Sequence, residues 1–182
     1  GTDHPDAKVI VMFKAGDDIR QDTVVLQLIR CMDRLWKAQG LDMCMSPYRC
    51  APTWNDGGML EIVTSSDTTA NIQTRYGGTL GAFSDSVFKQ WIEEHNGAEG
   101  TPEYDETVRM LIRSAAGYCV ATYVLGIGDR HNDNIMIKKT GHYFHIDFGH
   151  FAGNFKYQFG LARELTGFVF TPEMLEVMGG RE

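Results

Sequence analysis

Gly128-Asp-Arg-His-Asn-Asp-Asn134, followed thirteen residues after its last asparagine by Asp147-Phe-Gly-His150, is the stretch on which the reading of this chain turns. Between the two lies a hairpin signal: 134–138 and 142–146 read as short strands around Thr140-Gly141. One strand-turn-strand unit therefore carries Asn134 at its start and Asp147 at its end. Tyr143-Phe-His-Ile146 is mostly apolar, so a carboxylate that follows it faces a desolvation cost unless a cation offsets it. Magnesium suits that place, because it takes hard oxygen ligands and shares the rest of its shell with phosphate. Asn134 adds a neutral carbonyl oxygen. Each residue alone also reads as an ordinary turn Asp or Asn; their spacing from Asp129 favours the site.

Phosphoryl transfer asks for cations on the phosphates, a metal held by oxygen donors and a positioned hydroxyl. Asp129, His131 and His150 are the candidates for handling the hydroxyl proton, since histidine accepts a proton near neutral pH. Arg130 either neutralises the loop or contacts phosphate. Asp129-x-His131-x-Asp133 is also a conceivable transition-metal set, although it leaves Asn134 unexplained. His142 and His145 are three apart in a strand and face opposite sides. His4 and His95 read as structural or solvated.

Upstream, 8–14 reads as a β-branched strand ending in Lys14, and Ala15-Gly-Asp-Asp18 as a turn. A helix is predicted over 20–39, with Val24, Val25, Leu28, Ile29, Met32, Leu35 and Trp36 at helical spacing and Gly40 as its stop. A lysine at a strand end can reach phosphates, and Asp22 could pair with Lys14. The same two residues also read as a surface lysine and a helix-start aspartate favoured by the dipole. Strands are predicted over 41–45, 48–54 and 59–63, with a turn at Asn55-Asp-Gly-Gly58. The stretch 64–81, rich in Ser, Thr and Gly, reads as containing a linker. Helices follow over 84–94, with Phe88, Trp91 and Ile92 on one side, and over 103–125, with Val108, Leu111, Ile112, Ala115, Cys119 and Val120 inward. The tail 149–171 reads as a long functional loop. The expected fold is α+β and two-lobed: residues 1–63 belong to a β-rich lobe that ends at a hinge, and 64–182 to a mainly helical one.

The chain has 182 residues, enough for a real core, and a net charge of 17 minus 24, or −7. That acidity makes nucleic acid a poor partner. Four cysteines lack CxxC spacing and read as reduced thiols of a cytosolic protein. Residues 1–6 do not resemble a signal peptide. The apolar run 115–127 is too short to span a bilayer and reads as a buried helix end.

Three stretches resemble one family. Phe13-Lys-Ala-Gly-Asp-Asp-Ile-Arg-Gln-Asp22 and Gly40-Leu-Asp-Met-Cys-Met-Ser-Pro-Tyr48 are similar to the phosphoinositide 3-kinase catalytic core. The most specific match runs from Arg113 to Met136 and continues through His145-Ile-Asp-Phe-Gly-His150. The resemblance implies a protein-kinase-like two-lobed fold with a catalytic loop at 128–136 and an activation loop at 147–171. It implies ATP and Mg2+ as cofactors, with Lys14 on the nucleotide phosphates and Asp22 supporting it. Tyr48 would line the inner pocket, Glu61 and Val63 present backbone to adenine, and Met136 and Ile146 form the floor. Asn134 and Asp147 would hold magnesium. Asp129, His131 and His150 would serve the inositol hydroxyl while Arg130 steadies the loop. A phosphoinositide at a membrane surface is the implied substrate, the full-length protein being recruited peripherally from the cytoplasm and joined to a regulatory or adaptor subunit.

His150 after Asp-Phe-Gly resembles class I enzymes. The loop beyond departs from them, with only Lys156 and Arg163 as cations and Glu164 beside them, and this implies a shift toward less phosphorylated lipid. A 4-kinase, a related protein kinase and an inactive nucleotide-binding module remain as other readings. The family's earlier strands and closing helices fall outside these residues. The chain is therefore expected to be part of a catalytic domain, with exposed apolar surface and negligible activity by itself.

Overall fold

The computed structural model describes residues 9–54, 56–78, 86–152, 157–158, 161–162 and 167–180. Lys8, Asn55, Ser84, Lys156 and Arg163 lie outside them. The fold is mixed helix and sheet, α+β as expected.

The first part is a three-stranded antiparallel sheet with one helix. β1 (Val11–Ala15) and β2 (Cys50–Trp54) flank β3 (Gly57–Glu61), and Met12 faces Leu60 across the ladder. α1 (Arg20–Ala38) packs on β2, and its Val25, Leu26 and Ile29 are fully buried. The predicted phase of α1 was partly wrong. Val24, Leu28 and Leu35 are exposed, because the helix carries apolar residues on two sides and the sheet covers only one.

The second part is built on a small antiparallel sheet of β4 (Ser66–Thr68), β5 (Ile135–Lys138) and β6 (Tyr143–His145), with α4 (Pro102–Leu125) across β6. α2 (Thr69–Gly77), α3 (Val87–Asn96) and the short α5 (Pro172–Val177) pack together at its side. A two-residue ladder, β7 (Tyr157–Gln158) with β8 (Leu161–Ala162), lies in the predicted loop. Ile72, Phe88, Trp91, Ile92, Leu111, Tyr118 and Phe144 fill the core.

Three expectations need correction. Residues 41–45 form no strand: Cys44 takes a positive φ of 48°, its N–H is bonded to the Asp42 carboxylate at 2.9 Å, and Met43 and Met45 lie against Gly117 of α4. An Asx turn at this point competes with the ladder. Second, 64–81 is not simply a linker. Thr68 caps α2 by accepting from the Asn71 N–H at 3.1 Å, and Ile72 is fully buried. Third, α4 is rotated from its predicted stripe. Tyr104, Thr107, Ser114, Tyr118, Ala121 and Thr122 are buried with Leu111 and Ala115, whereas Ile112, Val120, Tyr123 and Val124 are exposed.

Gly141 closes the β5–β6 turn at φ +84°, and a Cβ there would overlap the Thr107 carbonyl of α4. Gly141→Ala combines left-handed strain with overpacking against backbone, and is expected to cost at least about 2 kcal/mol. Denaturant unfolding measures it, and a loss below half that size would show that the hairpin can shift away from α4.

Candidate active site

A cavity of about 450 Å³ opens between the two sheets. Met12 and Lys14 reach it from one face of β1, Asp22 from the first turn of α1, Tyr48 from the segment before β2, and Leu60 to Val63 from the end of β3. The opposite wall is Met136, Phe144, Ile146 and Asp147 of the β5–β6 hairpin. All seven sequence-predicted nucleotide residues line this one space: Lys14, Asp22, Tyr48, Glu61, Val63, Met136 and Ile146. Four lining residues were missed, namely Met12, Leu60, Ile62 and Phe144. Strand parity could have found two of them, since Met12 precedes Lys14 by two, and Phe144 opposes Met136 in register.

The polar end of the cavity is ordered by hydrogen bonds. Lys14 pairs with Asp17, three residues on, and not with Asp22 as expected. Partial burial pulls the Lys14 pKa down, but the Asp17 hydrogen bond and the charges of Asp147, Asp17 and Asp22 outweigh it and leave the pKa raised. Asp22 is buried and accepts from the Tyr48 hydroxyl at 3.0 Å and the Phe148 N–H at 3.2 Å. Its carboxyl pKa is raised by burial, against the lowering effect of those two donors. Burial likewise pushes the Tyr48 phenol up, reinforced by the Asp22 charge, so Tyr48 stays a donor. Phe148 is fully buried and stacks on Tyr48, ring centroids 6.4 Å apart. Asp22 thus anchors the residue after Asp147 to α1.

The catalytic-loop candidates converge on the hairpin ends. The Asn134 carbonyl accepts from the Ile146 N–H at 3.0 Å, which brings the two strand ends side by side. Asn134 is buried; its amide nitrogen donates to the Asp129 carbonyl at 2.9 Å and lies 3.1 Å from Nε2 of His131. That leaves its carbonyl oxygen as the end able to face a cation. His131 is also 3.5 Å from the Asp133 carboxylate. The His150 carbonyl accepts from the Gly128 N–H at 2.9 Å. Asp129 and Asp147 take positive φ, 56° and 58°. Such values are uncommon outside glycine, enriched in Asp, and cluster at functional sites. Asp147 is exposed, so its carboxylate does not carry the desolvation cost expected for it; Phe148 is the buried member of that run.

Arg130 crosses between the loops. Nε donates to the Gly128 carbonyl at 2.8 Å, Nη1 to Ile146 at 2.7 Å and Nη2 to Asp147, with the guanidinium 5.5 Å from the centre of the Phe148 ring. Burial lowers its pKa, although Asp147 and Asp129 work the other way. Its nitrogens are committed to backbone, which favours the steadying role over a phosphate contact. His145 is buried against Tyr118 and Tyr143, and His142, just outside β6, sits half-buried beside Thr140.

Among the described residues no three His, Cys, Asp or Glu side chains converge as a protein metal cage would need. One carboxylate and one amide oxygen is the sparse hard-donor set that suits magnesium completing its shell with phosphate and water.

The family model for phosphatidylinositol 3- and 4-kinase matches residues 8–182. Phosphatidylinositol 3-kinase 1 of Dictyostelium discoideum is 56% identical over 173 residues, 94% of this chain and 11% of that protein. Phosphatidylinositol 3-kinase 2 of the same organism is 49% identical over 98% of this chain and 10% of its own length. The human phosphatidylinositol 4-phosphate 3-kinase C2 domain-containing subunit beta is 48% identical over 93% of this chain and 10% of its length. The chain thus spans about a tenth of the length of these relatives. Taken with the cavity and the loop geometry around it, these matches place the chain in the phosphatidylinositol 3- and 4-kinase family.

Proposed function

We propose that the chain carries the catalytic centre of a lipid kinase that moves the ATP γ-phosphate to the 3-hydroxyl of the inositol ring of phosphatidylinositol or its phosphates. The observation that carries the proposal is the cavity between the sheets, with Lys14 on one wall and Asp147 on the other. A kinase family implies ATP and a divalent metal. Adenine would lie against Met136 and Ile146, with the Glu61–Val63 backbone as a hinge between residues 1–63 and 64–182. The phosphates would point toward Lys14. Asn134 and Asp147 would hold Mg2+, which supplies charge neutralisation on the phosphates when bound. Asp129, His131 and His150 would orient the attacking hydroxyl and take its proton, and Asp22 with Tyr48 would fix the inner end.

The lipid preference forms part of the proposal. Lys156 and Arg163 are the cations that the predicted activation loop, 147–171, offers for headgroup phosphates. Two cations select weakly for a multiply phosphorylated ring, and the human relative's name specifies phosphatidylinositol 4-phosphate. Among the described residues no helix is long and apolar enough to cross a membrane. Peripheral recruitment of the full-length protein, with a partner subunit, belongs to the same reading.

The full-length protein, assayed with Mg2+ and ATP on vesicles of phosphatidylinositol, its 4-phosphate and its 4,5-bisphosphate, is expected to turn over the first two faster than the third. Mapping the new phosphate to the 3-position completes the test. A product phosphorylated at the 4-position would transfer the reading to 4-kinases, and a clear preference for the bisphosphate would refute the substrate assignment.

A further inference from the structure

Asn132 lies inside the Gly128–Asn134 loop, but nothing in the proposed chemistry uses it. Its backbone carbonyl accepts from the Thr69 hydroxyl at 2.8 Å and from the Ala70 N–H at 3.1 Å. Its side-chain nitrogen donates to Oε1 of Gln73 at 2.7 Å. The Gln73 nitrogen in turn donates to Oε1 of Glu173 at 2.6 Å. Gln73 and Glu173 are 6% and 3% exposed, and neither lines the nucleotide cavity. Thr69, Ala70 and Gln73 share one face of α2, which therefore grips the loop at three points, while α5 grips α2.

The direction of these bonds carries information. A carboxylate only accepts, so Glu173 compels Gln73 to present its nitrogen to α5 and its oxygen to the loop. Asn132 must then donate inward, which turns its own amide oxygen away from α2. The assignment of each amide follows from the network that Glu173 terminates. A buried chain of this kind is rigid when complete and costly when broken.

Glu173 is also the second residue of α5, the helix that follows the 147–171 segment. The start of that segment is held to the same loop by Arg130 on the Asp147 carbonyl and by Gly128 N–H on the His150 carbonyl. We propose that Gln73 and Glu173 are positioning residues: a polar relay from α5 through α2 sets the orientation of Asn132, so that the Gly128–Asn134 loop holds both ends of the segment that would meet the lipid. This rests on the kinase reading above for its effect on turnover, though the relay itself can be read without substrate.

The test compares Gln73→Met, Gln73→Glu and the exchange Gln73→Glu with Glu173→Gln in the full-length protein, on phosphatidylcholine vesicles containing phosphatidylinositol. Gln73→Met keeps volume and removes both bonds. It is expected to lower kcat by about 10- to 100-fold at unchanged KM for ATP, because a misplaced loop spoils alignment without touching the nucleotide wall. Gln73→Glu sets two carboxylates face to face and should be at least as damaging. The exchange puts the acceptor-only group in the middle, where it still receives the Asn132 amide, and is expected to restore kcat to within about threefold of wild type. Hydrogen–deuterium exchange over residues 128–134 should be faster in both single variants and restored in the exchange variant. A Gln73→Met protein with kcat within threefold of wild type, or an exchange variant no better than Gln73→Glu, overturns the relay. Should Gln73→Met not fold, the exchange variant decides. If the wild-type protein phosphorylates no lipid, the kinase reading fails, and the exchange rates alone decide the relay.

Discussion

Asp147→Asn is expected to lower kcat for lipid phosphorylation by about 10²–10³-fold or more while leaving the unfolding free energy within about 0.5 kcal/mol of wild type. The two halves of this expectation come from separate observations. Asp147 is exposed, and the bond that Arg130 makes here goes to its backbone carbonyl, so the carboxylate holds no buried contact. Its φ of 58° is one that Asn adopts at least as readily as Asp, whereas Ala there would add backbone strain of about 1 kcal/mol and confuse the measurement. The substitution therefore removes one negative charge and little else. What remains is an amide beside the Asn134 amide, too weak a donor pair to hold a divalent cation against its hydration shell. On the proposed reading, the transferring phosphate would then face Lys14 without the cation. Steady-state kinetics beside a denaturation curve checks both halves. Full activity in Asp147→Asn would remove Asp147 from the metal site, and a large stability loss would show a structural role that the exposure does not suggest.

The polar members of the site were legible in the sequence because their chemistry is local. Asp129, Asn134 and Asp147 sit at loop and strand ends within one hairpin, and twenty residues suffice to place them near one another. Lys14 and Tyr48 come from distant stretches. Their arrival in the same cavity depends on β1 pairing with β3 and on α1 packing on β2, and the family resemblance supplied that where spacing could not. The apolar walls were harder to see. Leu60 looks like any core residue in an alternating strand, and only its register opposite Met12 turns it toward the cavity. The phases of α1 and α4 were misread for a related reason: both helices carry apolar residues most of the way round, so periodicity offers two faces and packing picks one. α2 was hidden by its Thr-rich start, although a threonine three residues before an accepted N–H is itself a helix-start signal. Asp22 was found, but in the wrong partnership. A helix-start aspartate near a strand-end lysine suggests an ion pair, and the sequence does not reveal that Asp17 is nearer to Lys14 or that Tyr48 and Phe148 reach Asp22.

Arg130 offers the second large effect. Arg130→Lys keeps a positive charge but not the planar fork, and one ammonium cannot bond the separated carbonyls of Gly128, Ile146 and Asp147 while lying over Phe148. At least one of these part-buried or exposed carbonyls loses its donor, for a destabilisation of about 1 kcal/mol. Arg130→Ala leaves all three without a donor and opens a void beside Phe148, so its loss should be larger, about 3–5 kcal/mol. Turnover discriminates the role of Arg130. If Arg130 served as a phosphate cation, lysine would replace it with a modest rise in KM for ATP. Because its nitrogens are spent on backbone, Arg130→Lys should instead lower kcat by about 100-fold with little change in KM, as the Asp147 backbone drifts from the place that Asn134 needs it to hold. A double variant with Asp147→Asn then separates the two accounts. If Arg130 acts by positioning Asp147, its replacement costs little further activity once the Asp147 charge is gone, and the two effects fall well short of additive. Additive losses would mean that Arg130 works on the phosphates directly, and that the carbonyl bonds seen in the structure give way when nucleotide binds.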